Sequence, residues 1–330
     1  MLQTGDAAAD VRGPGEKLAL LVDAFVAGQP THIFNSPVFF SLHATERKAR
    51  GHYFQLVERK SGDVLAEVHF TETGPGCYRS PARGTFGGIS APGELSLEQI
   101  EFFADAIEAV LRADGAARLQ IVMPPASHDL ALHAKCFNVF ARRGFTVVAQ
   151  EINYDLAVTA EPLCARMDYG NRKRLNKCLR EGFAAVRLDA GQYESAYLLI
   201  AANRRRKGYP VTMDFPAIMV MVDRFGDRMR FFGVRREGML AAAAVCIAVS
   251  TRVMSVFYWG DAEGMQEYSP VVPLAAAIYE HCQAEGFSIL DTGIGTEAGE
   301  PNHGLIRFKR SLGFRESPRL TMGKDVSGDA

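Results

Sequence analysis

Two stretches of this 330-residue chain repeat one another in order and in spacing. In the first half, "TFGG" precedes a helix-patterned segment ending "AIEAVLRADG". The strand-like "ARLQIVM", a loop and a segment closing "FARRGF" come next. In the second half, "FYWG", "AIYEHCQAEG", "FSILDTG" and "KRSLGF" follow in the same sequence. Ile121 and Phe145 are 24 positions apart, and so are Leu290 and Phe314. Two copies of one supersecondary unit explain this better than chance does. The chain therefore reads as two similar domains.

Periodicity and turn residues give the elements of each copy. Strands are expected at 52–58, 64–71 and 84–90, then a helix at 96–113 that Ser96 caps, with Glu98 in its first turn. A strand at 117–123, a helix at 128–143 and a strand at 145–157 complete the first copy. The second reads as a helix at 168–181, a strand at 183–189 and helices at 192–207 and 214–225. Strands at 229–236, 239–249 and 252–260 precede a helix at 270–285, a strand at 287–291, a helix at 303–312 and a strand at 315–322. Strands in meander followed by helix, strand, helix and strand predict an α+β fold. Each domain would hold a mixed, mostly antiparallel sheet with helices packed on it. The expected division is a loose lead (1–17), domains at 18–160 and 161–323, and a flexible tail (324–330).

The bulk numbers exclude several classes. A formal net charge of -1 gives no global field toward nucleic acid, and no DNA partner is expected. The six cysteines include no Cys-x-x-Cys pair, which argues against a thiolate zinc site and a disulfide framework. The eight histidines show no metal-ligand spacing, and no Gly-x-Ser-x-Gly elbow is present, so no metal site is expected. The longest apolar run, Met239 to Val249, has 11 residues and is too short to span a membrane. The amino terminus lacks the basic start and apolar run of a signal peptide, so a cytoplasmic setting is the simplest reading.

One lysine is out of place. On a helix over 304–312, with Leu305 at zero, Phe308 falls at roughly 300°, Leu312 at roughly 340° and Lys309 at roughly 40°. Lys309 thus lies inside the apolar arc, whereas Arg307 and Arg310 point away. Aligning the two closing helices on their Gly-Phe pairs sets Phe140 opposite Lys309. The architecture thus has an apolar solution for this position. Two readings stand: the stem covers apolar surface while the ammonium reaches water, or the ammonium enters a cleft and meets a phosphate, a carboxylate or an oxyanion.

The order of elements, with Gly-Phe before the last strand, resembles the GNAT acyltransferase fold. Two units in tandem resemble the Fem family of non-ribosomal peptidyltransferases. The second copy carries the likeness: "NRKRLNKCLREGF" (171–183) is similar to that family's basic helix, and "FYWGDAEGMQEYSPVVPLAAAIYEHCQAEGF" (257–287) to its Tyr-rich strand and Ser-Pro helix start. "DTGIGTEAGEPNHGLIRFKRSLGF" (291–314) resembles its Asp-x-Gly strand end and Phe-Lys-x-x-x-Gly closing helix. The glycine loop that holds the acetyl-CoA pyrophosphate in ordinary GNAT enzymes is missing, and so is the heptad arm of the larger Fem enzymes.

The resemblance implies transfer of an activated acyl or aminoacyl group to an amine of a small molecule or peptide. The donor would be an acyl-CoA, or an aminoacyl-tRNA or other nucleotide-linked compound; no further cofactor is implied. The second domain would be the active one, and the first structural or a wall of the acceptor cleft. An acyl-CoA-dependent N-acyltransferase of a small metabolite and a catalytically silent binding module are the alternatives. The implied catalytic residues are Lys309, Asp291 at a strand end, and Tyr258, with Tyr268 and His303 binding substrate. His303 reads equally as the cap of its helix, and Trp259 as core on the face opposite Tyr258.

Residues 166 to 207 carry eleven Lys or Arg against four Asp or Glu. On helix 168–181, Leu175, Cys178 and Leu179 form the expected buried stripe, with Lys173, Lys177 and Arg180 opposite. Arg172, Lys173 and Arg206 read either as part of a solvated face or as a phosphate-binding edge.

Overall fold

Each Gly-Phe pair is followed by a long strand, and in the computed structural model, which describes residues 11–12, 17–26, 32–45 and 48–327, both strands divide between two bodies. Unit 1 comprises Met1–Glu151 with Pro318–Ala330, and unit 2 comprises Ile152–Ser317. Strand Thr146–Ala157 begins in unit 1 and ends in unit 2, while strand Arg315–Asp325 does the reverse. Each unit therefore takes its closing strand from the other copy. The sequence instead placed the divide at 160/161 and ran the second domain to 323. Most of the expected lead and residues 328–330 of the expected tail lie outside the described residues. Within that tail, Lys324 and Asp325 pair with Leu119 and Arg118.

Unit 1 contains, in order, β1 (Val11–Arg12), β2 (Leu18–Val22), α1 (Pro37–Phe40), β3 (Gly51–Glu58), β4 (Val64–Gly74), β5 (Cys77–Ser80), α2 (Leu97–Ala113), β6 (Arg118–Val122), α3 (Leu130–Arg142) and the start of β7 (Thr146–Ala157). Its sheet runs β1-β2-β3-β4-β5-β6 and then β15, the final strand Arg315–Asp325. Only β5–β6 is parallel among these pairs. Ser96 caps α2 in a reciprocal box: its hydroxyl accepts from the Gln99 N–H at 3.2 Å, and Gln99 Oε1 accepts from the Ser96 N–H at 2.8 Å. Ile100, Phe103, Ile107 and Leu111 then share one face and bury against the sheet with Phe140 of α3. Each such side chain contributes about 1.5–3 kcal/mol. The strand expected at 84–90 lies earlier, at β5. Its apolar residues Phe86 and Ile89 are buried all the same, on a loop whose glycines turn the chain.

One end of this unit is closed by charge. His52 Nδ1 meets Asp23 Oδ2 at 2.7 Å, and its Nε2 meets Asp114 Oδ2 at 3.1 Å. Asp114 also accepts from Arg50 and from the Tyr78 hydroxyl. The hydrogen bond to Asp23, aided by both carboxylate charges and by Asp114, raises the His52 pKa against the opposing effect of burial. A raised histidine stabilises the fold fully below its unfolded value of about 6.5, and that contribution disappears as pH climbs through the folded value. Wild type should therefore lose about 1 kcal/mol relative to His52→Gln as pH rises from about 6.5, after allowance for the half-exposed Asp23. Thermal unfolding of both proteins across pH 5.5–8.5 checks this, and parallel curves would refute it.

Unit 2 contains the end of β7, then α4 (Tyr169–Arg180), β8 (Ala184–Arg187), α5 (Tyr193–Arg206), α6 (Phe215–Phe225), β9 (Met229–Arg236), β10 (Met239–Ala248), β11 (Val253–Asp261), α7 (Val271–Ala284), β12 (Ile289–Ile294), β13 (Thr296–Glu297), β14 (Glu300–Pro301), α8 (His303–Ser311) and the start of β15. Its sheet order is β7-β12-β11-β10-β9-β8, and β11–β12 is the parallel pair. The run Ala241–Ala244 in β10 is fully buried, its small side chains letting α5 and α7 approach the sheet. Leu274, Ile278, Tyr279 and Cys282 of α7 fill the core on one face. The expected stripe of α4 is corrected: Leu179 is 59% exposed, whereas Asn171 is buried, with its Nδ2 donating to Ser311 Oγ at 2.8 Å. No helix among the described residues is long and apolar enough to cross a membrane.

Candidate functional site

The parallel strands β11 and β12 stay together for only three residue pairs, ending at Ser255↔Asp291. Strand β11 then continues to Asp261, bent by a bulge: Val245 of β10 faces Tyr258 while Cys246 faces Val256, so Phe257 is the extra residue. On the other side, β12 pairs with β7 at Asp291↔Asp155 and again at Ile294↔Asn153, with an irregularity between. The two parallel strands of unit 2 thus part at Asp291.

Lys309 holds that point. It is 1% exposed, and its Nζ donates to the carbonyls of Thr292 (2.7 Å), Gly293 (2.8 Å) and Ile294 (2.9 Å). Three consecutive carbonyls can converge because Gly293 adopts a φ of +73°, which side chains disfavour. The Tyr154 ring lies 5.5 Å from the same ammonium. Lys309 therefore neither reaches water nor projects into open space; its three protons fasten the bulge of β12. Phe140, its counterpart in unit 1, is buried in an ordinary aromatic pair with Phe145.

Asp291 lies at the root of the same bulge, 1% exposed. Its Oδ1 accepts from the Gly293 N–H at 2.5 Å and from Asn153 Nδ2 at 3.2 Å. Asn153 Nδ2 also reaches Asp155 Oδ2 at 3.4 Å. Asn153 and Asp155 were missed in the sequence. The alternation Ile152, Tyr154, Leu156 marks the inward face of β7 and assigns its polar residues to water, yet both are buried.

The other predicted residues separate into groups. Tyr258 lies on the α5 side of the sheet, its hydroxyl accepting from the Thr212 and Met213 N–H groups (both 3.2 Å) and bonded to the Thr212 hydroxyl. The Arg204 guanidinium stacks 4.8 Å from its ring centroid. Trp259 faces the other way and packs edge-on against Phe308, with centroids 5.8 Å apart. Tyr268 has different neighbours: Phe183 lies against it, and Lys177 and Arg236 sit over its ring at 4.5 and 4.8 Å. His303 is exposed and does not cap α8; Asn302 does, through Oδ1 accepting from the Leu305 N–H at 3.0 Å. Arg172 is exposed and bonds the Met167 carbonyl at 3.1 Å, and exposed Lys173 lies over the Tyr169 ring. Arg206 Nη2 meets Asp261 Oδ1 at 3.4 Å, beside Asn203 and Lys207.

Helix α7, which follows β11, offers little backbone for an anion. Pro270 and Pro273 have no N–H, and the Val272 N–H is taken by the Ser269 carbonyl at 2.9 Å. Lys177 and Arg236 lie over the ring of Tyr268, two residues before Pro270. Among the described residues, no group of three or more His, Cys, Asp or Glu is placed to hold a metal ion.

Residues 169–310 match the family model described as the acetyltransferase (GNAT) domain. The chain as a whole has a tandem GNAT fold. FemX superposes with a TM-score of 0.68 at 11% identity, over 90% of this chain and 94% of that one. L-PGS from Bacillus licheniformis superposes with a TM-score of 0.58 at 10% identity, over 92% of this chain and 95% of that one. No curated protein matches the sequence.

Proposed function

We propose that unit 2 transfers an activated acyl or aminoacyl group to an amine, with the reacting carbonyl between the parting ends of β11 and β12. The observation that carries this is the end of pairing at Ser255↔Asp291, with β11 continuing to Asp261. In this reading, backbone groups released from sheet pairing on that side stabilise a tetrahedral oxyanion. Lys309 acts here as a positioning residue: it fixes the bulge that turns β12 away. Asp291 anchors the same turn from below. Tyr258, held by the 212–213 segment, forms the opposite wall.

The first turn of α7 favours one class of donor. With so few free amides there, a phosphate would rest on Lys177 and Arg236 rather than on a backbone cradle. That supports a nucleotide-linked donor, aminoacyl-tRNA included, above a CoA ester. Thermal-shift measurements with acyl-CoA, aminoacyl-tRNA and a nucleotide-linked peptide separate these donors. Stabilisation by the latter two is expected, weakening as salt rises from 50 to 200 mM. Stabilisation by acyl-CoA alone would overturn the donor assignment. Mass spectrometry of the same mixtures should find a new amide; ligand binding without any amide would make the chain a silent binding module.

A further inference from the structure

We infer that the outer face of α4 docks this chain on a bilayer of anionic phospholipid, a role that goes beyond the transfer reading and does not depend on it. Helix α4, Tyr169–Arg180, carries five Lys or Arg and no Asp or Glu. With Tyr169 at zero, Leu179, Arg172, Asn176, Arg180 and Lys173 fall at roughly 280°, 300°, 340°, 20° and 40°. All six are exposed, Tyr169 by 65% and Leu179 by 59%. Buried Asn171 and Cys178 lie on the opposite side, at roughly 200° and 180°. The solvent face is therefore a single arc of three cations and two uncovered apolar side chains.

Folding does not call for this charge. Arg172, Lys173 and Arg174 crowd the amino-terminal end of the helix, where the macrodipole disfavours cations. Lys173 and Lys177 add a like-charged pair one turn apart. Among the described residues, none of the five cations has a carboxylate partner. Arg172 donates to the Met167 carbonyl and Arg174 to Asn171 Oδ1, while Lys173 and Lys177 lie over the rings of Tyr169 and Tyr268. The flanking acids are spent: Asp168 accepts from the Asn171 N–H at 2.7 Å, and Glu181 pairs with Arg236 at 3.2 Å. Elsewhere the chain neutralises such groups, as at the end of α3, where Arg142 and Arg143 meet Glu101 and Asp105.

The cations call for a polyanion, and the apolar side chains decide which. An anionic bilayer meets both: its phosphates face Arg172, Lys173 and Arg180, the Tyr169 ring suits the headgroup level, and Leu179 reaches the acyl boundary. A nucleic-acid backbone offers phosphate but nothing for a leucine, and one tyrosine makes no series of stacking platforms. Twelve residues give a face of about 18 Å that lies flat on such a surface. Lys177, at roughly 80° on the flank, stays with Tyr268. The attachment is peripheral.

The test sediments the full chain with vesicles of equimolar phosphatidylserine and phosphatidylcholine, with pure phosphatidylcholine as the control. Wild type should bind the anionic vesicles at least tenfold more tightly, and raising salt from about 50 to 200 mM should weaken that binding several-fold. Lys173→Gln combined with Arg180→Gln should reduce it at least tenfold. Leu179→Ser should reduce it about fivefold and leave the salt dependence as it was. The urea midpoint read from Trp259 should stay put in both variants, so that lost binding reports on the face and not on folding. Equal binding to both vesicles, full binding by either variant, or displacement by inorganic phosphate at constant ionic strength would overturn the assignment. So would tighter binding to double-stranded RNA that Leu179→Ser leaves intact, which gives the face to nucleic acid.

Discussion

Replacing Lys309 by Met is expected to destabilise unit 2 by about 3–5 kcal/mol, although methionine is apolar and of similar length. The buried ammonium is the donor for three carbonyls, at Thr292, Gly293 and Ile294, and a thioether satisfies none of them. Lys309→Arg should rescue little, because a planar guanidinium cannot aim three protons at carbonyls clustered around one point. Trp259, the only tryptophan, lies in unit 2 against Phe308, one residue before the lysine. Its fluorescence during urea unfolding therefore reports on this unit separately from unit 1. A loss below about 1 kcal/mol would mean that the bulge does not depend on the lysine. Amide formation should fall with it, since the parting of β11 and β12 is held from the same place.

The second large effect comes from the glycine that ends each repeat. Gly313 has a φ of +99°, and a Cβ there would lie 2.9 Å from the Arg166 carbonyl oxygen and 2.9 Å from Arg166 Cβ. Gly144, its counterpart, has a φ of +82°, but a Cβ would meet only the flexible Lys324 Cε, at 3.8 Å. Gly144→Ala should therefore cost about 1 kcal/mol, the conformational penalty alone. Gly313→Ala adds a collision with main chain and should cost about 3–4 kcal/mol, as overpacking of a tight contact does. Chemical denaturation of the two variants checks the difference, and equal losses would refute the close packing at Arg166.

The repeat made the fold legible because both copies spend the same residue types on the same jobs: a glycine to stop each closing helix and a phenylalanine to start the next strand. Boundaries from β6 onward fall within a few residues of those expected. Strand β5 was placed too late because Phe86 and Ile89 look like strand residues; they are buried by a loop instead. The oddity of Lys309 was also legible, since a charge at an apolar helix position has to be satisfied by something. Its partners were not: carbonyls carry no residue signature, and a glycine at 293 says only that the chain turns. Asp155 and Asn153 were hidden for a different reason. Strand alternation tells which residues share a face, not whether something covers it.

The exchange of closing strands also governs the order of events during synthesis. Val122 of β6 pairs with Thr321, which leaves the ribosome 199 positions later. At roughly 5–20 residues per second, that is a wait of about 10–40 s. Throughout that interval the nascent amino-terminal half has a sheet with an open edge at β6, a template for any passing strand. The half made first is thus the half finished last, and its completion depends on the final strand reaching a sheet already assembled without it.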